Sequence, residues 1–147
     1  MFQKIMVVCI GNICRSPMAE ALLREGLRAK EGGGHEVQSA GLGAMVGHPA
    51  DEMAQALLWE QGIDISEHMA KQLNSDLIHW SDVILVMDQE QRRAIEVSEP
   101  SARGRVYRLG EWGDFDVPDP YRRSEKVFRQ VFELVSRGVS EWIPKLT

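Results

Sequence analysis

At 147 residues the chain is sized for one compact domain, with 44% hydrophobic and 27% charged residues. A net charge of -5 argues against general nucleic-acid binding, although a small site can be locally positive on an acidic protein. No apolar run approaches the roughly 20 residues of a membrane span. Both cysteines, Cys9 and Cys14, fall in one short stretch, so a disulfide framework is excluded and a reducing cytoplasm is the expected compartment.

Met1-Phe2-Gln3-Lys4 carries no signal-peptide pattern and leads into Ile5-Met6-Val7-Val8, a continuously apolar run. That run predicts a strand buried on both faces. Cys9-Ile10-Gly11-Asn12-Ile13-Cys14-Arg15-Ser16 follows, and Ser16-Pro17 is a helix-start signal, with Ser16 as N-cap and Pro17 in the first helical position. The capping box is partial, because Ala19 stands where Glu or Gln would complete it. Ala19, Leu22, Leu23, Gly26 and Leu27 form the buried stripe, and Glu31-Gly32-Gly33-Gly34 ends the helix.

A short strand is predicted over His35–Ala40, then a loop over Gly41–Pro49. Asp51 caps a helix through Gln61 with Met53, Ala56, Leu57 and Glu60 on its faces, stopped by Gly62. Ser66 offers a cap for a short helix within 63–73. Asp82–Met87 is a clear strand, Asp88–Val97 a helix, and Val106–Leu109 a fourth, more exposed strand. A turn-rich acidic loop fills Gly110–Pro120. Ser124 starts the last helix, with Val127, Phe128, Val131, Leu134, Val135, Val139 and Trp142 on its stripe. Strands alternating with helices imply an α/β domain with a mostly parallel, doubly wound sheet. In such sheets ligands bind beyond the carboxyl ends of the strands, which is where the Cys9 loop falls.

A strand, a tight loop and a helix N-terminus together favour an anion. Cys9 is the candidate nucleophile, since neighbouring cations and helix N-termini favour thiolate over thiol. Alone it would read as a small residue closing a buried strand; Arg15 and the glycine turn reverse that. Arg15 presents a planar fork suited to two phosphate oxygens. Gly11 permits conformations that a side chain forbids, and Asn12 tolerates left-handed geometry while bonding neighbouring backbone. Ser16 has two compatible readings, helix cap and hydroxyl donor to Cys9. Cys14 is either loop packing or a thiol that pairs with Cys9 on oxidation.

A phenol leaves poorly, so a general acid is needed. Asp119 is the first choice, in Val117-Pro118-Asp119-Pro120-Tyr121, where the prolines stiffen the loop and are expected to desolvate the carboxyl. Asp116 and Asp114 stand behind it, and without the Cys9 loop the stretch would read as an ordinary Asp-Pro turn. Tyr121 can wall a pocket against a substrate ring. The four histidines show no metal-ligand spacing; His35, His48 and His79 read as surface or turn residues.

Val8–Pro17, Ser39-Ala40-Gly41, Val86-Met87-Asp88 and Asp119-Pro120-Tyr121, in this order and spacing, resemble the low-molecular-weight protein tyrosine phosphatases over nearly the whole chain. The resemblance implies one phosphatase domain over residues 1–147, with a flavodoxin-like four-stranded parallel sheet of order 2-1-3-4 and helices on both faces. It implies a phosphocysteine mechanism, with Cys9 as nucleophile, Arg15 on the phosphate and Asp119 as acid and then base, and with no metal or cofactor. Ile10, Gly11, Asn12, Ile13, Cys14 and Ser16 would form the phosphate-binding loop, and Ser39 and His68 a network supporting Asn12. Lys71 stands where relatives often carry arginine. Leu42–Gly47 lacks the aromatic of eukaryotic members, leaving Met45 and Tyr121 as pocket walls. That loop and Asp119–Ser124 resemble the bacterial subgroup associated with capsule or exopolysaccharide tyrosine kinases. The expected partner is then the phosphotyrosine tail of such a kinase, and the expected state a monomer with no membrane insertion.

Three rivals are weaker on residue grounds. An arsenate reductase of the same fold relays oxidation through two further cysteines, and only Cys14 is present besides Cys9. A non-catalytic phosphate or phosphopeptide binder gains nothing from a thiol in the cradle. A nucleotide P-loop needs Gly-Lys-Ser/Thr, which is absent.

Overall fold

The computed structural model describes residues 2–30 and 33–147. Four parallel strands, β1 (Lys4–Cys9), β2 (Glu36–Gly41), β3 (Val83–Val86) and β4 (Val106–Arg108), form one sheet of order β2-β1-β3-β4. The helices are α1 (Arg15–Arg28), α2 (Glu52–Glu60), α3 (Ser75–Trp80), α4 (Gln89–Ser98) and α5 (Glu125–Leu146). The chain leaves β1 toward β2 and later returns to the other side of β1 as β3. The strand order thus reverses beside β1, and its carboxyl end opens into the crevice where α/β sheets bind ligands.

Strand alternation divides the core in two. Ile5, Val7, Cys9, Val83 and Leu85 face α1, α2 and α5. Met6, Val8, Ile84, Val86 and Val106 face the other way, with Ile78 of α3 and Ile95 of α4. Both faces are therefore covered, which is why β1 and β3 are apolar without interruption.

Two predicted caps, Asp51 and Ser124, are present, and Asp88 supplies a third that was not predicted. Asp51 accepts the Met53 N–H at 2.9 Å, Asp88 the Gln91 N–H at 2.8 Å and Ser124 the Val127 N–H at 3.3 Å. Other local expectations give way to tertiary structure. Ser16 does not cap α1: the helix already includes Arg15, Cys14 occupies the cap position without a side-chain bond, and Pro17 is the third helical residue. The Ser16 hydroxyl is instead turned inward onto Cys9 and Asn12. Helix α1 ends at Arg28; Glu31 and Gly32 of the predicted turn lie outside the described residues.

In α2 the buried residues are Ala54, Leu57 and Leu58, whereas Ala56 and Glu60 are exposed. Ser66 starts no helix, because Asp64 accepts its N–H at 2.8 Å and closes a turn there. The helix lies further on, at α3, capped by Asn74 onto the Leu77 N–H at 2.9 Å. Strand β4 is also corrected: Val106, Arg108 and the following Leu109 are buried. Helix α5 returns along this edge, and Trp142 Nε1 donates to the Arg108 carbonyl at 3.0 Å.

Candidate active site

Cys9 ends β1, and the chain wraps a loop before α1 begins at Arg15. The loop carbonyls from Cys9 to Cys14 all turn outward to named donors. The Leu42 N–H reaches the Cys9 carbonyl at 3.0 Å, Gly43 reaches Ile10 at 3.0 Å and Met45 reaches Gly11 at 3.0 Å. His68 Nε2 meets the Asn12 carbonyl at 2.7 Å, the Asp51 N–H meets Ile13 at 2.8 Å and the Met18 N–H meets Cys14 at 3.3 Å. In a planar trans peptide the N–H points opposite to its carbonyl. The amides of residues 10–15 therefore face the inside of the loop, and the amino end of α1 adds its dipole. This is a cradle for an anion.

Asn12 holds the shape. It is fully buried and left-handed, with φ 59°. Its Nδ2 donates to Ser16 Oγ at 2.8 Å and to Ser39 Oγ at 3.0 Å, and its Oδ1 accepts the Lys71 N–H at 2.9 Å. Every polar atom of the amide is engaged. Ser39 in turn donates to Glu20 Oε1. Gly41 is required alongside, since a Cβ there would lie 2.4 Å from the Ile10 carbonyl oxygen.

Cys9 is 2% exposed, and its Sγ lies 3.0 Å from Ser16 Oγ. Ser16 Oγ also accepts from Asn12 Nδ2, and its own proton can be given to the sulfur when the sulfur is a thiolate. Arg15 is 3% exposed. Its Nη1 donates to the Val117 carbonyl at 2.9 Å, its Nη2 lies 3.8 Å from Asp119 Oδ2, and its Nε is buried without a partner in the protein. One guanidinium thus joins the cradle to the 117–119 loop.

Asp119 accepts the Tyr121 N–H at 3.0 Å, but its side chain is 52% exposed, so the flanking prolines stiffen the loop without desolvating the carboxyl. Asp114 and Asp116 pair with Arg108 at 2.7 and 3.1 Å, and neither lines the cavity that holds Cys9. Burial pushes the Cys14 thiol well up, and the negative charges of Asp51, Cys9 and Asp119 add to that.

These groups line a cavity of about 150 Å3, with Cys9, Cys14, Arg15 and Asp119 beside Ile10, Ile13, Met45 and Tyr121. The predicted residues therefore meet at one place, with Ser39 and His68 behind the loop. His48 and His79 are exposed elsewhere. Sequence reasoning missed Glu20, Asp51 as a loop donor and the Lys71 amide. Of these only Glu20 had a local signal: it lies four residues after Ser16, on the same face of α1.

Residues 4–147 match the family described as low molecular weight phosphotyrosine protein phosphatase. The chain belongs to that family. It is a protein-tyrosine-phosphatase by membership, a phosphoric monoester hydrolase. It is 49% identical over 146 residues to the probable low molecular weight protein-tyrosine-phosphatase EpsP of Ralstonia nicotianae, covering 99% of this chain and 97% of that one. Among solved structures, Wzb of Vibrio vulnificus in complex with benzylphosphonate superposes with a TM-score of 0.92 at 38% identity, covering 99% of this chain and 100% of that one. The YwlE arginine phosphatase of Geobacillus stearothermophilus superposes with a TM-score of 0.88 at 33% identity, covering 97% of this chain and 92% of that one.

Proposed function

We propose that the protein hydrolyses phosphotyrosine through a phosphocysteine intermediate. The observation that carries this is the buried Cys9 sulfur at the floor of a cavity whose rim holds the Arg15-tethered Asp119. The phosphate sits in the amide cradle, and Arg15 Nε supplies a further donor to an equatorial oxygen. Cys9 Sγ attacks phosphorus, the bond to the tyrosyl oxygen breaks, and Asp119 gives that oxygen its proton. Asp119, now a carboxylate, takes a proton from water as the water oxygen attacks phosphorus. The phosphorus–sulfur bond breaks, and the Ser16 hydroxyl stabilises the departing thiolate. Because the sulfur is deep, a long aromatic ester reaches it more readily than a short seryl one, and Ile10, Met45 and Tyr121 supply apolar walls for the ring.

We propose further that the substrate is the phosphotyrosine tail of a bacterial tyrosine kinase in capsule or exopolysaccharide control, met in the cytoplasm by a monomeric phosphatase; the likeness to the protein-tyrosine-phosphatase EpsP supports the tyrosyl ester. The likeness to YwlE supports a second reading, hydrolysis of phosphoarginine. The apolar wall favours a phenyl ring over a guanidinium, which would leave donors unpaired there. The deciding assay compares phosphotyrosine, phosphoserine, phosphoarginine and arsenate with wild type and Cys9→Ser. Phosphotyrosine turnover that is lost in Cys9→Ser, with vanadate binding retained, is expected. Preferential phosphoarginine turnover, or normal turnover by Cys9→Ser, refutes the proposal.

A further inference from the structure

A second depression opens directly from the catalytic cavity. It encloses about 900 Å3 and shares Ile10, Arg15, Gly43 and Asp119 with that cavity. Beyond the shared residues it runs along the amino end of α4 and the 116–118 loop. Leu42, Ala94, Val117 and Pro118 make its lining partly apolar.

Its charge is one-sided. Asp88, Glu90, Asp116 and Asp119 all line it, and Arg15 is its sole cationic side chain. Arg15 is already engaged by the Val117 carbonyl and Asp119, and Asp116 is engaged by Arg108. Among the described residues, Asp88 and Glu90 have no cationic partner. The wall also holds Gln91, 3% exposed, whose Oε1 accepts the Met87 N–H at 2.9 Å while its Nε2 has no partner. That leaves an unpaired amide donor in the groove wall.

A dianionic phosphate bound by the cradle must therefore arrive beside unneutralised carboxylates. A peptide that carries its own cations next to the phosphotyrosine removes that conflict. We infer that this groove holds the residues flanking the phosphotyrosine and selects segments bearing lysine or arginine there. This rests on the phosphatase reading above, and Glu90, exposed and without a cationic partner among the described residues, is the selecting group.

The test uses two tyrosine-phosphorylated peptides that differ only in lysine or glutamate at the flanking positions, with p-nitrophenyl phosphate alongside. Wild type is expected to show a kcat/KM about fivefold higher for the lysine peptide at low salt. That preference shrinks as salt rises. Glu90→Lys inverts or abolishes the ratio, and the isosteric Glu90→Gln lowers it. Glu133→Lys, the same charge change at an exposed site of α5 outside the groove, leaves the ratio as in wild type. Equal kcat/KM for both peptides, or an equal loss of preference in Glu90→Lys and Glu133→Lys, overturns the groove. Failure to hydrolyse any of the three substrates overturns the phosphatase reading instead.

Discussion

Replacing Asn12 with alanine is the sharpest test of how the cradle is held. The amide makes three hydrogen bonds, to Ser16, Ser39 and the Lys71 N–H, in a fully buried position. At about 1 kcal/mol net for each, their loss costs about 3 kcal/mol. Alanine must also hold the left-handed backbone at φ 59°, which adds roughly 1 kcal/mol. A total of about 4 kcal/mol is a large part of the ~5–15 kcal/mol that stabilises a domain. Asn12→Gly loses the same three bonds but is spared the backbone cost, so it should be about 1 kcal/mol more stable than Asn12→Ala. Both variants free the Asn12 peptide to rotate, and kcat/KM should fall about 100-fold or more, as for other small misplacements of reacting groups. Urea unfolding gives the stabilities, and vanadate binding reports the cradle separately from turnover. If Asn12→Ala unfolds within about 0.5 kcal/mol of wild type and keeps its vanadate affinity, the loop is not held by this amide.

Three further outcomes are expected. Asp119→Asn should slow phenyl phosphate far more than an ester with an activated leaving group, and equal slowing would remove Asp119 as the acid. Asp82 accepts the Gln3 and Lys4 N–H groups at 3.0 and 2.9 Å, and these bonds hold its carboxyl below the usual range. A depressed folded value gives stability that is present above the unfolded value of about 3.9 and lost as pH falls through the folded one. Acid unfolding of Asp82→Asn should therefore be less steep below about pH 4, and an unchanged profile would rule this clamp out. Peroxide should oxidise Cys9 to a sulfenic acid, which the Cys14 thiol converts to a disulfide with loss of water; because the Cys14 thiol is pushed up, trapping should quicken with rising pH, and mass spectra without a Cys9–Cys14 bond would exclude it.

The features legible in the sequence are those set by neighbours along the chain. The apolar run of β1 and the starts of α2 at Asp51 and α5 at Ser124 depend on a few adjacent residues, and each is observed. Of the two readings of Ser16 only the cap fails: a hydroxyl before an apolar stripe reads as a cap, yet here it lies against the sulfur of Cys9, as the other reading expects. The burial of β4 was invisible because it depends on other elements: Val106 joins the core layer of Ile95, and Leu109 that of Trp142, whose indole bonds the Arg108 carbonyl from 34 residues further on. Ser66 failed because Asp64, two residues earlier, takes its amide first. At the site, Cys9, Arg15 and Asp119 were readable from their chemistry. Glu20 and the Lys71 amide reach the loop through Ser39 and Asn12, so Glu20 was marked only by its spacing from Ser16 and the Lys71 amide by nothing in its own surroundings.

The same contrast explains how an acidic protein can hold a dianion. The cradle needs no excess of cations, because its positive potential comes from amides whose direction is fixed by what their carbonyls do. Those carbonyls are held from scattered parts of the fold: the loop after β2 at Leu42, Gly43 and Met45, the His68 ring, the residue capping α2, and α1 itself. Asp51 serves both sides at once, its carboxylate capping α2 while its N–H fixes the Ile13 carbonyl. Grafting residues 9–16 onto another strand–helix junction would thus carry over the thiol and the guanidinium but lose the inward amides, since unpinned peptides would turn to bond each other or water. The loop's chemistry is local, whereas its geometry belongs to the whole domain, and the two must meet for the sulfur and an anion to share one small space.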